Sequence, residues 1–177
     1  MPSLAKIRST MTDGCAHVPA EPPNADAWNS FADVGRALLI GGAVLAPLWR
    51  RDSRASFNAL TAILATSAAS KTIKAFWREP RPNGENHNSF PSQHAGDCFV
   101  AAIMLDREWR DAGGPLAIGI ATAVSMARVF SGKHHIADVI AGSALGVIAS
   151  GLSSELPAYL FAACTTRAVI FDADAHP

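Results

Sequence analysis

The chain has 177 residues with 15 basic and 15 acidic side chains, so its formal net charge is zero. An apolar share of 49% and a charged share of 17% exclude a disordered chain, which needs low hydrophobicity and high charge. No basic excess is present to neutralise a phosphate backbone, so no nucleic-acid partner is expected. Three scattered cysteines (Cys15, Cys98, Cys164) give neither a disulfide framework nor a zinc-ligand spacing.

Residues 1–30 read as a polar, proline-rich leader without the apolar stretch of a secretory signal. A helical domain is expected over 31–172. Its first apolar run, 37–49, stops at Arg50, Arg51, Asp52 and Arg54; the second, 55–70, continues toward Trp77. A Pro/Asn/Gly-rich loop from Pro80 to Pro91 follows. Further runs cover 95–105, 112–127, 139–154 and 156–166, the last extending to Phe171. None alternates with the period of a strand, and alanine, the commonest residue, favours helix. The expected fold is all-α: a six-helix bundle with its active site at one end.

A membrane span needs about 20 apolar residues, with about 17 as the lower limit. The longest uncharged runs fall just short of that. Yet 112–127 and 139–154 carry no charge at all, whereas a helix of a soluble bundle shows a charged outer face. With a mean hydropathy of +0.16, the bundle is expected to be membrane-embedded. Gly142 and Gly146, four apart, would permit close helix contact in lipid.

Three polar clusters fall at helix ends that an up-down bundle brings to one side. The first holds Lys74 and Arg81, with Pro80 and Pro82 stiffening the chain around the guanidinium. A fixed Arg plus a Lys suits an oxyanion, although a basic helix end alone would give the same residues. The second is Pro91-Ser92-Gln93-His94, a helix start whose free N–H groups suit an anion and whose His titrates near neutrality. A plain N-cap is the simpler reading of it. The third is Arg128, His134 and Asp138. His134 and Asp138, four apart, would touch if both are helical, and a carboxylate on one imidazole nitrogen leaves the other as base or nucleophile. A surface His/Asp pair is the alternative; His135 is given no role.

Together the clusters resemble the three-part signature of the type 2 phosphatidic acid phosphatase superfamily, which also contains vanadium haloperoxidases and bacterial acid phosphatases. The signature reads Lys-x6-Arg-Pro, Pro-Ser-Gly-His and Ser-Arg-x5-His-x3-Asp. The chain supplies Lys74, Arg81 and Pro82; Pro91, Ser92 and His94; Arg128, His134 and Asp138. It departs at Gln93, where the family has Gly, and at Ala127, where the family has Ser. The gap between the first two motifs is short, leaving little room for a lid.

The resemblance implies hydrolysis of a phosphate monoester or diphosphate, without metal or cofactor, through a phosphohistidine. His134 would be the nucleophile, Asp138 its orienting partner and His94 the acid, then base. Lys74, Arg81, Ser92, Gln93 and Arg128 would hold the phosphate. A membrane bundle points to a lipid phosphate, and nothing in these residues selects among phosphatidic acid, phosphatidylglycerol phosphate and polyprenyl diphosphates. A soluble-type acid phosphatase on small esters, a vanadate-dependent haloperoxidase and a non-catalytic membrane protein with an oxyanion site stay open as alternatives. The sequence specifies no oligomeric state. The Arg50–Arg54 loop, at the end opposite the motifs, places the site outside a bacterial inner membrane by the positive-inside rule, against which Lys6 and Arg8 weigh.

Overall fold

In the computed structural model, which describes residues 22–109 and 113–153, the shortest apolar run becomes the centre of the molecule. Five α-helices form: α1 Ala25–Trp49, α2 Ser53–Phe76, α3 Gln93–Glu108, α4 Gly113–Phe130 and α5 Ile136–Ser153. The described residues contain no strand. Helix α3 touches all four others. It can do so because Ala95, Gly96, Cys98, Ala101 and Ala102 make its buried surface shallow.

The expected count of six helices is corrected here to five among the described residues. Four helices already enclose α3, so the core closes without a sixth. The run 156–166 and its extension to Phe171 lie outside the described residues. A second difference is at the front of the bundle. Helix α1 starts at Ala25, ahead of the expected boundary at 31. Asn29, Asp33 and Arg36 lie ahead of the first expected apolar run, 37–49. In the helix they share one stripe by their four- and three-residue spacing, and each binds a side chain of another helix.

The helices alternate in direction, so the N-termini of α1, α3 and α5 and the C-termini of α2 and α4 share one end. At the opposite end Asp52 caps α2, its Oδ1 accepting the Ala55 N–H at 2.9 Å. Arg50 there donates to the Glu108 carbonyl at 3.3 Å, tying the α1–α2 turn to the end of α3.

Helices α1, α4 and α5 are each long and apolar enough to cross a bilayer. Large side chains point outward all around: Leu38, Leu45, Leu64, Leu116, Ile140 and Ile148 are exposed. Aromatics cluster at both ends, with Trp28, Phe31, Phe76 and Trp77 at one and Trp49 and Trp109 at the other, the placement that favours interfacial belts. The chain is a multi-pass membrane protein. Small polar residues do not prevent this, because the Thr61, Thr66, Thr72 and Ser143 hydroxyls donate to carbonyls of their own helices.

Helix α5 lies against α3 through Gly142 and Gly146. A Cβ at Gly142 would collide with the Ser92 carbonyl, and one at Gly146 with the Gly96 carbonyl. Gly142→Ala is therefore expected to lower stability in mild detergent by about 1–3 kcal/mol, the usual cost of overpacking. Gly119→Ala, which meets open space, should not destabilise; equal unfolding midpoints for the two variants would contradict this packing.

Candidate active site

The loop between α2 and α3 forms the wall of a cleft at the polar end. It folds on itself, the Arg81 N–H donating to the Asn86 carbonyl and the Ser89 N–H to the Glu79 carbonyl. It docks on the α4–α5 connection where the Asn83 N–H meets the Gly132 carbonyl at 3.0 Å. Gly132 has φ +68°, a left-handed conformation that reverses the chain after α4 at no steric cost. Lys133 and Glu85 close the same contact with an ion pair. The Lys133 ammonium holds the Glu85 carboxyl below the usual carboxylate range.

The cleft holds about 430 Å³, and Lys74, Arg81, Gln93, His94, Arg128 and His134 all line it. Ser92 and Asp138 sit behind them, buried. Residues from three distant motifs thus meet at one end of the bundle. Lys74 gives two N–H bonds to the Asn88 and Ser89 carbonyls, at 2.6 and 3.4 Å, which leaves its third N–H. Arg81 Nη1 reaches Glu85 at 3.2 Å, and Arg128 Nη1 reaches Asn29 at 2.8 Å. The Nε atoms of both arginines are buried without partners, as is the Ser92 hydroxyl. These three donors, with the open N–H groups that head α3, suit one tetrahedral oxyanion.

His134 lies before α5, in the connection, rather than within the helix. Its Nδ1 stands 3.7 Å from Asp138 Oδ2, beyond hydrogen-bond range, and has no other partner. Asp138 is the third residue of α5 and acts first as a cap: its Oδ2 accepts the His135 N–H at 2.8 Å. The same oxygen accepts the Ser89 hydroxyl and lies 3.3 Å from the His135 ring. His135, given no role from sequence, therefore helps to fix the carboxylate. The Asp138 carbonyl in turn accepts the Ser92 N–H at 2.9 Å.

Four contributors escaped the sequence reading: Asn29, Asp33, Ser67 and Ser89. Asp33 Oδ1 lies 2.7 Å from His94 Nε2, which leaves Nδ1 of His94 for another partner. The stripe Asn29, Asp33, Arg36 on an otherwise apolar helix was the signal that could have found two of them. Gln93 Nε2 donates to Ser67 at 3.2 Å, and Ser67 donates to Asp97, which also takes Arg36. The side chain at the family's Gly position is thus tied to the bundle interior. Its backbone is in the first turn of α3 and not at positive φ, so a side chain brings no backbone strain. Ala127 is fully buried in the core, where a methyl fits. Among the described residues no three His, Cys, Asp or Glu side chains gather as a metal site.

Burial pulls the His134 pKa well below its ordinary 6.5, and Lys74, Arg128 and Arg81 add to this, against the opposing pull of Asp138. Its imidazole is therefore neutral at neutral pH, with a lone pair available.

A family model described as the PAP2 superfamily matches residues 55–162, more than half of the chain. A lipid A 1-phosphatase from Porphyromonas gingivalis is 25% identical over 84 residues, which is 46% of this chain and 19% of that protein. The chain thus spans about a fifth of that curated relative. Among solved structures, LpxE of Aquifex aeolicus is similar with a TM-score of 0.65 and 19% identity, covering 84% of this chain and 94% of that one. The first transmembrane PAP2-type phosphatidylglycerolphosphate phosphatase from Bacillus subtilis gives 0.61 and 20%, covering 89% and 88%. At these identities the two structures establish a shared fold.

Because cations depress the His134 pKa, an oxyanion that offsets them must raise it. In histidine-labelled protein the His134 resonance, identified by its loss in His134→Gln, should stay neutral as pH falls from 7 to about 5. Added inorganic phosphate should move its midpoint upward. A midpoint at or above 6.5 without phosphate would contradict the electrostatics described.

Proposed function

The chain belongs to the PAP2 superfamily, and from that premise we propose that it is a membrane lipid phosphatase working through a phosphohistidine. The observation that carries this reading is the meeting of a neutral, buried His134 with Lys74, Arg81 and Arg128 in one cleft. Phosphoryl transfer needs positioning and charge stabilisation above all, and three fixed cations supply both.

His134 attacks phosphorus through Nε2, because its Nδ1 faces Asp138. Asp138, already held by Ser89 and His135, stabilises the imidazolium that develops. Lys74, Arg81, Arg128, the Ser92 hydroxyl and the Gln93 N–H hold the phosphoryl oxygens. Burial and Arg128 lower the His94 pKa to about 4 in the free site; with the phosphate dianion in the cleft His94 takes a proton at Nδ1, gives it to the leaving oxygen and then activates water. Asp33 on Nε2 is its positioning residue, fixing the tautomer and supporting the imidazolium. No step requires a metal or a cofactor. The exposed apolar helices and interfacial aromatics favour a substrate anchored in the bilayer. Phosphatidic acid, phosphatidylglycerol phosphate, polyprenyl diphosphates and a lipid A phosphate are the candidates; the Porphyromonas gingivalis relative is named for lipid A and the Bacillus subtilis structure for phosphatidylglycerol phosphate.

In mild detergent with chelator, the protein should release phosphate from a lipid phosphate, and His134→Ala should lose about 10³-fold or more. Release retained by that variant would exclude the covalent scheme. His94→Ala should lose about 10²–10⁴-fold on alkyl phosphates and far less on p-nitrophenyl phosphate, whose leaving group needs no proton. Asp33→Asn should follow the same pattern more weakly; equal losses on both esters would argue against the acid role.

For sidedness, Arg50, Arg51 and Arg54 at the far end support a cytoplasmic α1–α2 turn and an active site facing outward from a bacterial inner membrane. A cysteine replacing His87 should then react with an impermeant reagent in intact cells, and one replacing Arg51 only after permeabilisation. The reverse pattern would invert the orientation.

A further inference from the structure

One chain of side-chain hydrogen bonds runs from the bundle interior into the cleft, and the mechanism leaves it unused. Asp97 is fully buried on α3, where Arg36 pairs with it, Nε donating to Oδ2 at 3.0 Å. Ser67 of α2 donates its one hydroxyl proton to Asp97 Oδ1 at 2.9 Å. The Ser67 oxygen is then left only as an acceptor, and Gln93 Nε2 donates to it at 3.2 Å. This fixes which way the Gln93 amide points. A carbonyl turned toward Ser67 would set two acceptors together, because the hydroxyl proton is already committed to a carboxylate. The NH2 therefore faces Ser67, and the carbonyl faces away.

Gln93 Oε1 has no hydrogen-bond partner among the described residues and is not sealed from solvent. Gln93 lines the cleft, so this carbonyl opens onto it. An acceptor has no use there in binding phosphate. The phosphoryl oxygens of an ionised ester accept hydrogen bonds, and Lys71, Lys74, Arg78, Arg81 and Arg128, which line the same cleft, are pure donors. A free Gln side chain would turn its NH2 to the phosphate as well. The anchor on Ser67 prevents this and leaves the carbonyl facing outward. The Gly of the family signature offers no side chain at this place.

We propose that Gln93 is a specificity-determining residue whose carbonyl accepts a hydrogen bond from a substrate hydroxyl beside the phosphorylated carbon. Ser67 is its positioning residue, held in turn by Asp97 and Arg36. The inference rests on the phosphatase reading above and adds a requirement on the alcohol half of the substrate. The main-chain N–H of Gln93 is at the phosphate, so its side-chain carbonyl lies next to the phosphoryl group, where that half of the ester stands. A site built to bond a substrate hydroxyl discriminates against the analogue without it, because its own acceptor is then desolvated and left unpaired.

The test uses one matched pair in mild detergent: lysophosphatidic acid, whose free secondary hydroxyl sits next to the phosphorylated carbon, and its deoxy analogue with the same acyl chain. The wild type should prefer the hydroxylated compound by about fivefold or more in kcat/KM, the worth of a neutral hydrogen bond. Gln93→Met keeps the length of the side chain without its carbonyl, and Ser67→Ala frees the amide to turn; each should bring the ratio close to one. Ser67→Thr, which keeps the hydroxyl, should retain the preference. The ratio is read within each variant, so a change of rate common to both compounds leaves it untouched. A ratio near one in the wild type, or a preference that survives in Gln93→Met or in Ser67→Ala, overturns the proposal and leaves the phosphatase reading standing. No release from either compound by the wild type overturns both.

Discussion

The reactive end of the bundle depends on Asp138. Its carboxylate caps α5 through the His135 N–H and takes the Ser89 hydroxyl from the α2–α3 loop. Its carbonyl takes the N–H of Ser92 at the head of α3. One residue thereby ties three segments that are distant in sequence, and it is the residue that faces His134. This arrangement exists only because α3 and α5 approach closely. Gly142 lies against the Ser92 carbonyl and Gly146 against the Gly96 carbonyl, so side chains there would hold the two helices apart. Packing in the middle of the bundle and chemistry at its end are therefore one constraint.

Charge is the second constraint. Five cations line the cleft, with no carboxylate among the lining residues. Two of their donors, the Nε atoms of Arg81 and Arg128, are buried without a partner. Unpaired buried donors and like charges at close range are unfavourable in the free protein. Three of these cations are held in place: Lys74 by loop carbonyls, Arg128 by Asn29, and Arg81 by the Glu85 carboxylate at its outer edge. The anchors fix direction without cancelling the field, and burial together with that field keeps His134 deprotonated. An oxyanion in this place satisfies donors and field together. Preorganisation of this kind moves the cost from the reaction to folding.

The bilayer accounts for the rest of the architecture. Many bulky aliphatic side chains face outward, and the interior is rich in Ala, Gly and Ser around a few larger residues such as Leu39, Ile63, Val100 and Val124. This reverses the pattern of a water-soluble bundle and follows from lipid as the solvent, where tight backbone approach replaces hydrophobic burial as the source of association. Helix α3 illustrates the point. It carries the buried Asp97, which Arg36 and Ser67 satisfy, and being enclosed it never meets lipid.

The sequence by itself determined the helical class and the residues of the candidate site. Lys74, Arg81, Ser92, His94, Arg128, His134 and Asp138 were legible because short-range spacing preserves a motif wherever the chain folds. Helices were legible because lipid-facing runs must be long and apolar. Only the tertiary structure decided which partners orient those residues. Asn29, Asp33 and Arg36 precede the first apolar run and drew no role from sequence, since their partners Arg128, His94 and Asp97 lie more than sixty residues away. The expected His134–Asp138 pair stands at 3.7 Å, in ion-pair range but without a hydrogen bond, because Asp138 caps its own helix and His134 stands outside it. Contacts between helices depend on which faces meet and how closely, and that depends on the packing of the whole bundle, which local spacing does not encode.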